Sequence, residues 1–208
     1  MARIRAMSTP TPDVDPDVYT VAVPAQESAL VAPAPARVRA LKRHLVASLR
    51  DLREAKRPDR LIQPRSAQPA GFAAEVVRAG CSHCQGFCCR GGGEHAYLDE
   101  RTMARVRRDN PDLDAAGIIG LYMRSVASPA FEGSCLFHGP GGCTLPQTLR
   151  AELCNIYYCK GLWDFLKTRP LPDQVTIVAS RGDVTRRSDV LVAIGTENGR
   201  NMDPWTPL

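Results

Sequence analysis

The spacing of hydrophobic positions changes several times along the chain. Residues 1–36 carry no period. Pro10, Pro12, Pro16, Pro24, Pro33 and Pro35 cut them into short polar and apolar pieces, which predicts a disordered leader over 1–36. A helical period then sets in. Val38, Leu41, Leu45, Leu49 and Leu52 recur at three- and four-residue spacing, so one apolar stripe runs along a helix over 37–57, and Pro58 ends it. Its other faces carry Arg37, Arg39, Lys42, Arg43, Arg50, Arg53, Lys56 and Arg57 against Asp51 and Glu54. Charges on an amphipathic helix are generally solvated while the stripe docks, and docking is the expectation here.

After a linker over 58–71, Phe72–Ala79 predicts a short helix with Gly80 just past its end. Glu94–Leu98 reads as a short extended segment. Asp99 is placed to cap a helix reaching Arg108, with Met103 and Val106 inward. Another helix over 113–127 buries Ile118, Leu121, Tyr122 and Val126. Pro146 is suited to a first helical position, carrying Leu149 and Leu153, and a further helix is expected over 156–166. The β-branched runs Val175–Ser180 and Asp189–Ile194, joined through Arg181-Gly182-Asp183, predict a hairpin. The expected fold class is α+β and mainly helical: one small cysteine-rich domain over 72–195 with a C-terminal β-hairpin, followed by a polar tail over 196–208.

Composition narrows the function classes. Arginine supplies 23 of the 27 basic residues and the formal net charge is only +5. That pattern fits codon bias in a high-GC bacterium better than nucleic-acid binding, so nucleic acid is not the expected partner. The basic face of the 37–57 helix is kept as a place for a protein partner. There is no apolar run of the length a membrane span needs and no signal-peptide core after Arg3 and Arg5, so no membrane partner is expected and a cytoplasmic location is.

The cysteines are the main chemical signal. Cys81, Cys84, Cys88 and Cys89 fall within nine residues, and Cys135, Cys143, Cys154 and Cys159 complete the set of eight. In a reducing compartment, clustered cysteines hold metal more often than they form disulfides. A Cys-x-x-Cys turn lets two thiolates face one ion while backbone amides stabilise their charge. Side chains of adjacent residues diverge, so Cys88 and Cys89 point to two centres or to two corners of one cluster. The expected cofactor is an iron–sulfur cluster or zinc or iron, and the spacing alone does not separate them. His95 and His138 are candidate ligands or supports, whereas His83 is expected to shield the motif and His44 to have no special role.

Cys81-x-x-Cys84-x-x-x-Cys88-Cys89 resembles the signature of the YkgJ-type cysteine-cluster proteins, a zinc- or iron-chelating family. That family continues with a cysteine, a second cysteine ahead of a Tyr-x-x-Arg-Pro element, and a Cys-x-x-x-x-Cys enclosing an aromatic residue. Cys135, Cys143, and Cys154 with Cys159 follow that order, with Tyr157 and Tyr158 inside the last pair. The Arg-Pro is missing: Arg150 lies near its place but precedes Ala151, and Pro146 comes earlier. The resemblance covers residues 78–163 and implies a small metal-binding domain. Flagellin lysine N-methylases are similar in the same motif, yet this chain has no Gly-x-Gly-x-x-Gly after a strand for a methyl donor. Three functions are therefore expected in order: a metal-binding protein in a redox, electron-transfer or metal-handling role; a cluster-dependent protein-modifying enzyme; and a structural zinc module whose basic helix meets RNA or an acidic partner. Whether the protein is an enzyme is left open.

Overall fold

The computed structural model describes residues 18–56, 61–62 and 66–191. The expectations for 1–17, for the middle of the linker and for the tail over 196–208 lie outside the described residues.

The fold is a mix of helices and strands built around two apolar cores. Strand β1 (Tyr19–Pro24) pairs in parallel with β6 (Gln174–Arg181), which pairs antiparallel with β7 (Val184–Leu191), giving the sheet order β1-β6-β7. The central strand is buried on both faces from Val175 to Ala179, as a strand between two neighbours and under helices should be. Helices α2 (Gly71–Cys84) and α6 (Lys160–Lys167) cover the sheet. This first core joins Val21, Val23, Val76, Leu162, Phe165, Leu166, Val175 and Ile177. The second core is helical. There α1 (Pro35–Glu54) packs on α3 (Glu100–Asp109) and α4 (Ala115–Arg124), joining Leu41, Leu45, Leu49 and Leu52 to Met103, Val106, Ile118 and Tyr122.

The hairpin and the capped helices follow the sequence pattern. The Asp99 carboxylate accepts from the Thr102 N–H at 2.8 Å, and the Asp114 carboxylate accepts from the Gly117 N–H at 2.7 Å. The leucine stripe of α1 docks, so the helix belongs to the body of the protein, which starts well before residue 72.

Several expectations are corrected. Part of the leader is ordered: β1 and β2 (Leu30–Val31) lie within 1–36, and β2 pairs with β3 (Ala130–Phe131). The alternation in Tyr-Thr-Val-Ala-Val buries Val21 and Val23. Pro24 is tolerated because β1 is an edge strand that ends there. Gly80 does not end α2. The helix continues to Cys84, and Gly80 sits where a Cβ would meet a Leu162 methyl at 2.9 Å, so it serves the α2–α6 contact. The segment 94–98 is a series of turns in which Ala96 and Tyr97 both take positive φ, at 52° and 57°. Pro146 opens a turn rather than a helix, and only α5 (Glu152–Ile156) forms there. The next helix starts at Lys160, because Tyr157 and Cys159 are extended. The second hairpin strand begins at Val184, five residues before its apolar run.

Candidate metal centre

Cys81 and Cys84 occupy the last turn of α2. Gln85 ends that helix in the left-handed region with φ 52°, and Gly86 follows at φ 73°. The reversal leads straight into a 3-10 helix (Phe87–Gly92) that carries Cys88 and Cys89 on consecutive positions. Gly86 has no alternative here. Its φ is costly for other residues, and a Cβ would run into the His138 imidazole.

The reversal also aims backbone donors at sulfur. The Phe87 N–H donates to Cys84 Sγ at 3.3 Å, and the Gly86 N–H reaches the same sulfur. Cys135 is served likewise by the Phe137 N–H. Such contacts stabilise a thiolate, and at Cys84 they come from the turn that closes the Cys-x-x-Cys stretch. Burial dominates nonetheless, raising Cys84 and pushing Cys135 up to about 11.

The eight thiols fall into two neighbourhoods. Burial, followed by the charges of Cys88, Cys84 and Cys159, pushes Cys81 up to about 12, and Cys88 and Cys159 also raise Cys84. This first group of Cys81, Cys84, Cys88 and Cys159 borders the sheet core, which includes Cys84 and Cys159. Burial, followed by Cys135, Cys143 and Cys88, pushes Cys154 up to about 12. Cys89 is raised by the same two neighbours, Cys135 and Cys143, after its contact with Cys88 and its burial. This second group of Cys89, Cys135, Cys143 and Cys154 borders the helical core. Cys88 stands at the boundary. It accepts a hydrogen bond from the Cys89 thiol, which holds Cys88 down to about 7.

The second group is tied down by main chain. The Cys135 N–H donates to the Cys89 carbonyl at 3.1 Å. Cys143 lies in β5 (Gly142–Cys143), paired with His138 in β4 (His138–Gly139). Arg150 donates from Nε to the Leu145 carbonyl at 2.8 Å and from Nη2 to the Cys143 carbonyl at 3.3 Å. The fully buried guanidinium of Arg105 binds the Thr148 and Arg150 carbonyls, and Tyr122 Oη donates to the Leu149 carbonyl between them at 2.9 Å. The turn ahead of Cys154 is thus held by side chains at three successive carbonyls.

The histidines sort differently from the sequence expectation. Both ring nitrogens of His138 are engaged. Nε2 lies 2.7 Å from the Gln85 carbonyl, so it carries the proton and donates; Nδ1 lies 2.8 Å from Ser134 Oγ and accepts. The ring is a brace with no free lone pair for a metal. His95 Nδ1 accepts from the Tyr97 N–H at 3.1 Å, while His44 bonds the Leu98 carbonyl and so has a structural task.

Sequence reasoning missed Tyr97 and Arg105, and of the two roles it allowed His138 the structure gives the support. Tyr97 is neighboured by Cys154, Cys88 and Cys135, and its hydroxyl packs on Gly91. A left-handed tyrosine has no single-residue signature, so nothing in the sequence marked it.

The donor chemistry suits a thiophilic metal or cluster: eight thiols, backbone N–H groups on three of them (Cys84, Cys88 and Cys135), and no carboxylate among the neighbours named above. Among the described residues, however, no three Cys, His, Asp or Glu side chains stand in the geometry that holds an ion. No helix among them is long and apolar enough to cross a membrane. No family model, curated protein or solved structure matches this chain.

Proposed function

We propose that the protein binds metal through two four-thiol centres, one formed by Cys81, Cys84, Cys88 and Cys159 and the other by Cys89, Cys135, Cys143 and Cys154. The observation that carries this reading is the pattern of thiol neighbours, with Cys88 and Cys159 beside Cys81 and Cys84, and Cys135 and Cys143 beside Cys89 and Cys154, the adjacent Cys88 and Cys89 meeting where the two sets join. The first group combines thiols from two distant stretches of chain, 81–88 and 159, and the second from 89, 135–143 and 154. Four thiolates per group match what zinc and iron–sulfur centres require. The likeness of Cys81–Cys89 to the zinc- or iron-chelating YkgJ-type motif points the same way; our reading ranks an iron–sulfur cluster ahead of zinc or iron, in a redox, electron-transfer or metal-handling role in a reducing, cytoplasmic setting.

Binding requires the thiol side chains of each group to draw together, and the ligation energy then adds to folding energy. When bound, the metal or cluster supplies the positive charge that lets crowded thiolates coexist. The chain supplies the N–H donors at Cys84 and Cys135 and the fixed loops around Cys143 and Cys154.

Anaerobic purification followed by iron, sulfide and zinc analysis tests the proposal. Cys88→Ser and Cys89→Ser are each expected to lose about half of the bound metal, from different centres, and to melt earlier. A colourless protein with two zinc ions and no sulfide removes iron–sulfur. Full metal content in both serine variants removes the two-centre reading.

A further inference from the structure

His138 joins the two cysteine groups physically. Its backbone N–H donates to the Cys135 carbonyl at 2.9 Å, and its strand pairs with Cys143, so the residue is part of the second group's frame. Its side chain leaves that frame and grips the Gln85 carbonyl at 2.7 Å, one residue past Cys84 in the first group. Ser134 fixes the tautomer needed for this grip through Nδ1 at 2.8 Å. Phe131 packs on the ring with centroids 4.6 Å apart, and the residue is fully buried. Gly86 leaves the ring its room.

Two further ties run in parallel. Cys88 and Cys89 share a peptide bond within one 3-10 helix, and the Cys89 carbonyl accepts from the Cys135 N–H. Gly92, at the end of the same helix, packs where a Cβ would touch Cys135 Cβ at 3.1 Å. Ordering either group therefore fixes backbone that the other group uses.

We infer that the two thiol groups load as one coupled unit, with His138 as the positioning residue that transmits order from one centre to the other. The inference rests on the metal reading above. An ion in the first group immobilises Cys84, Gln85 and Cys88. Through the imidazole and the Cys88–Cys89 peptide bond it pre-orders Cys89, Cys135 and Cys143, so the second ion meets a smaller ordering cost.

The test is a titration of reduced, metal-free protein with zinc under anaerobic conditions, counting zero-, one- and two-ion species by native mass spectrometry. A coupling on the order of 100-fold leaves about one molecule in ten in the one-ion state at half saturation, whereas independent, equal sites leave about half there. His138→Phe keeps the ring volume and loses both hydrogen bonds; it is expected to retain two-ion capacity while the one-ion species rises several-fold. Val106→Ala, a cavity in the helical core, controls for destabilisation and should keep the wild-type distribution. If His138→Phe does not fold, Ser134→Ala removes the partner that fixes the tautomer and should shift the distribution in the same direction. A wild-type one-ion fraction near one half overturns the coupling, as does an unchanged distribution in the foldable brace variant. Binding of a single ion, or of none, removes the two-centre reading itself and is seen as such in the same spectra.

Discussion

His138 and Arg105 are buried polar side chains whose hydrogen-bonding nitrogens are assigned to particular backbone or side-chain atoms. Burial holds His138 below its ordinary value of 6.5. Between the two values the unfolded chain takes up a proton that the folded chain refuses. Stability is therefore full above pH 6.5 and falls as the pH drops below it. Thermal melts of reduced, chelator-treated protein at pH 7.5 and 5.5 should show this loss, and His138→Phe should show less of it. Chelator is needed because proton competition at thiolates would otherwise add its own pH dependence. Arg105 has a different role, since its guanidinium donates to the Thr148 and Arg150 carbonyls and so pins the turn between them. Arg105→Met should cost about 2–3 kcal/mol in urea unfolding, the usual size for a lost charged hydrogen bond with its partner left unpaired. An unchanged midpoint would show that the turn before Cys154 is held without it.

At the scale of elements, the sequence is informative wherever the signal is local. Asp99 and Asp114 cap the helices they precede, and the leucines of α1 fall on the buried face. The hairpin follows from its β-branched runs and the Gly182 turn. The misses share a non-local cause. Gly80 resembles a helix end until α6 is laid across it, and Gly161 in α6 has no Cβ because the Ala22 backbone occupies that space. The β1 segment looks like a proline-broken leader because the partner that makes it a strand is β6, far along the chain. The site divides the same way. All eight cysteines are evident from spacing, whereas the contact between the Cys88 and Cys89 thiols runs against the divergence expected of adjacent side chains. Which thiol neighbours which depends on loops that only the tertiary fold brings together, and so does the brace that joins them.

For the whole molecule, β1 tests how far the body of the protein extends. Val21 and Val23 are buried, Tyr19 meets Phe165 with ring centroids 5.9 Å apart, and Thr168 Oγ1 donates to Tyr19 Oη at 3.1 Å. Burial of the two valines alone is worth about 3–6 kcal/mol, which is comparable with the entire stability of many domains. A chain cut before Ala25 should therefore be insoluble or lack a cooperative melt, whereas a dispensable leader would leave the melt unchanged. Expression, solubility and a thermal scan of the shortened chain decide between the two.

The parallel pairing of Tyr19–Pro24 with Val175–Ser180 has a consequence for how the molecule comes into being. During synthesis, β1 emerges ahead of every cysteine and has no partner until the ribosome has made β6. In that interval all eight cysteines appear on a chain whose sheet is still open. Contacts of such long sequence separation form slowly, and unpaired strands invite association. The nascent chain thus passes through a period in which its thiols are accessible and its edge strand is unsatisfied. Supply of reductant to the growing chain should then affect the yield of folded protein.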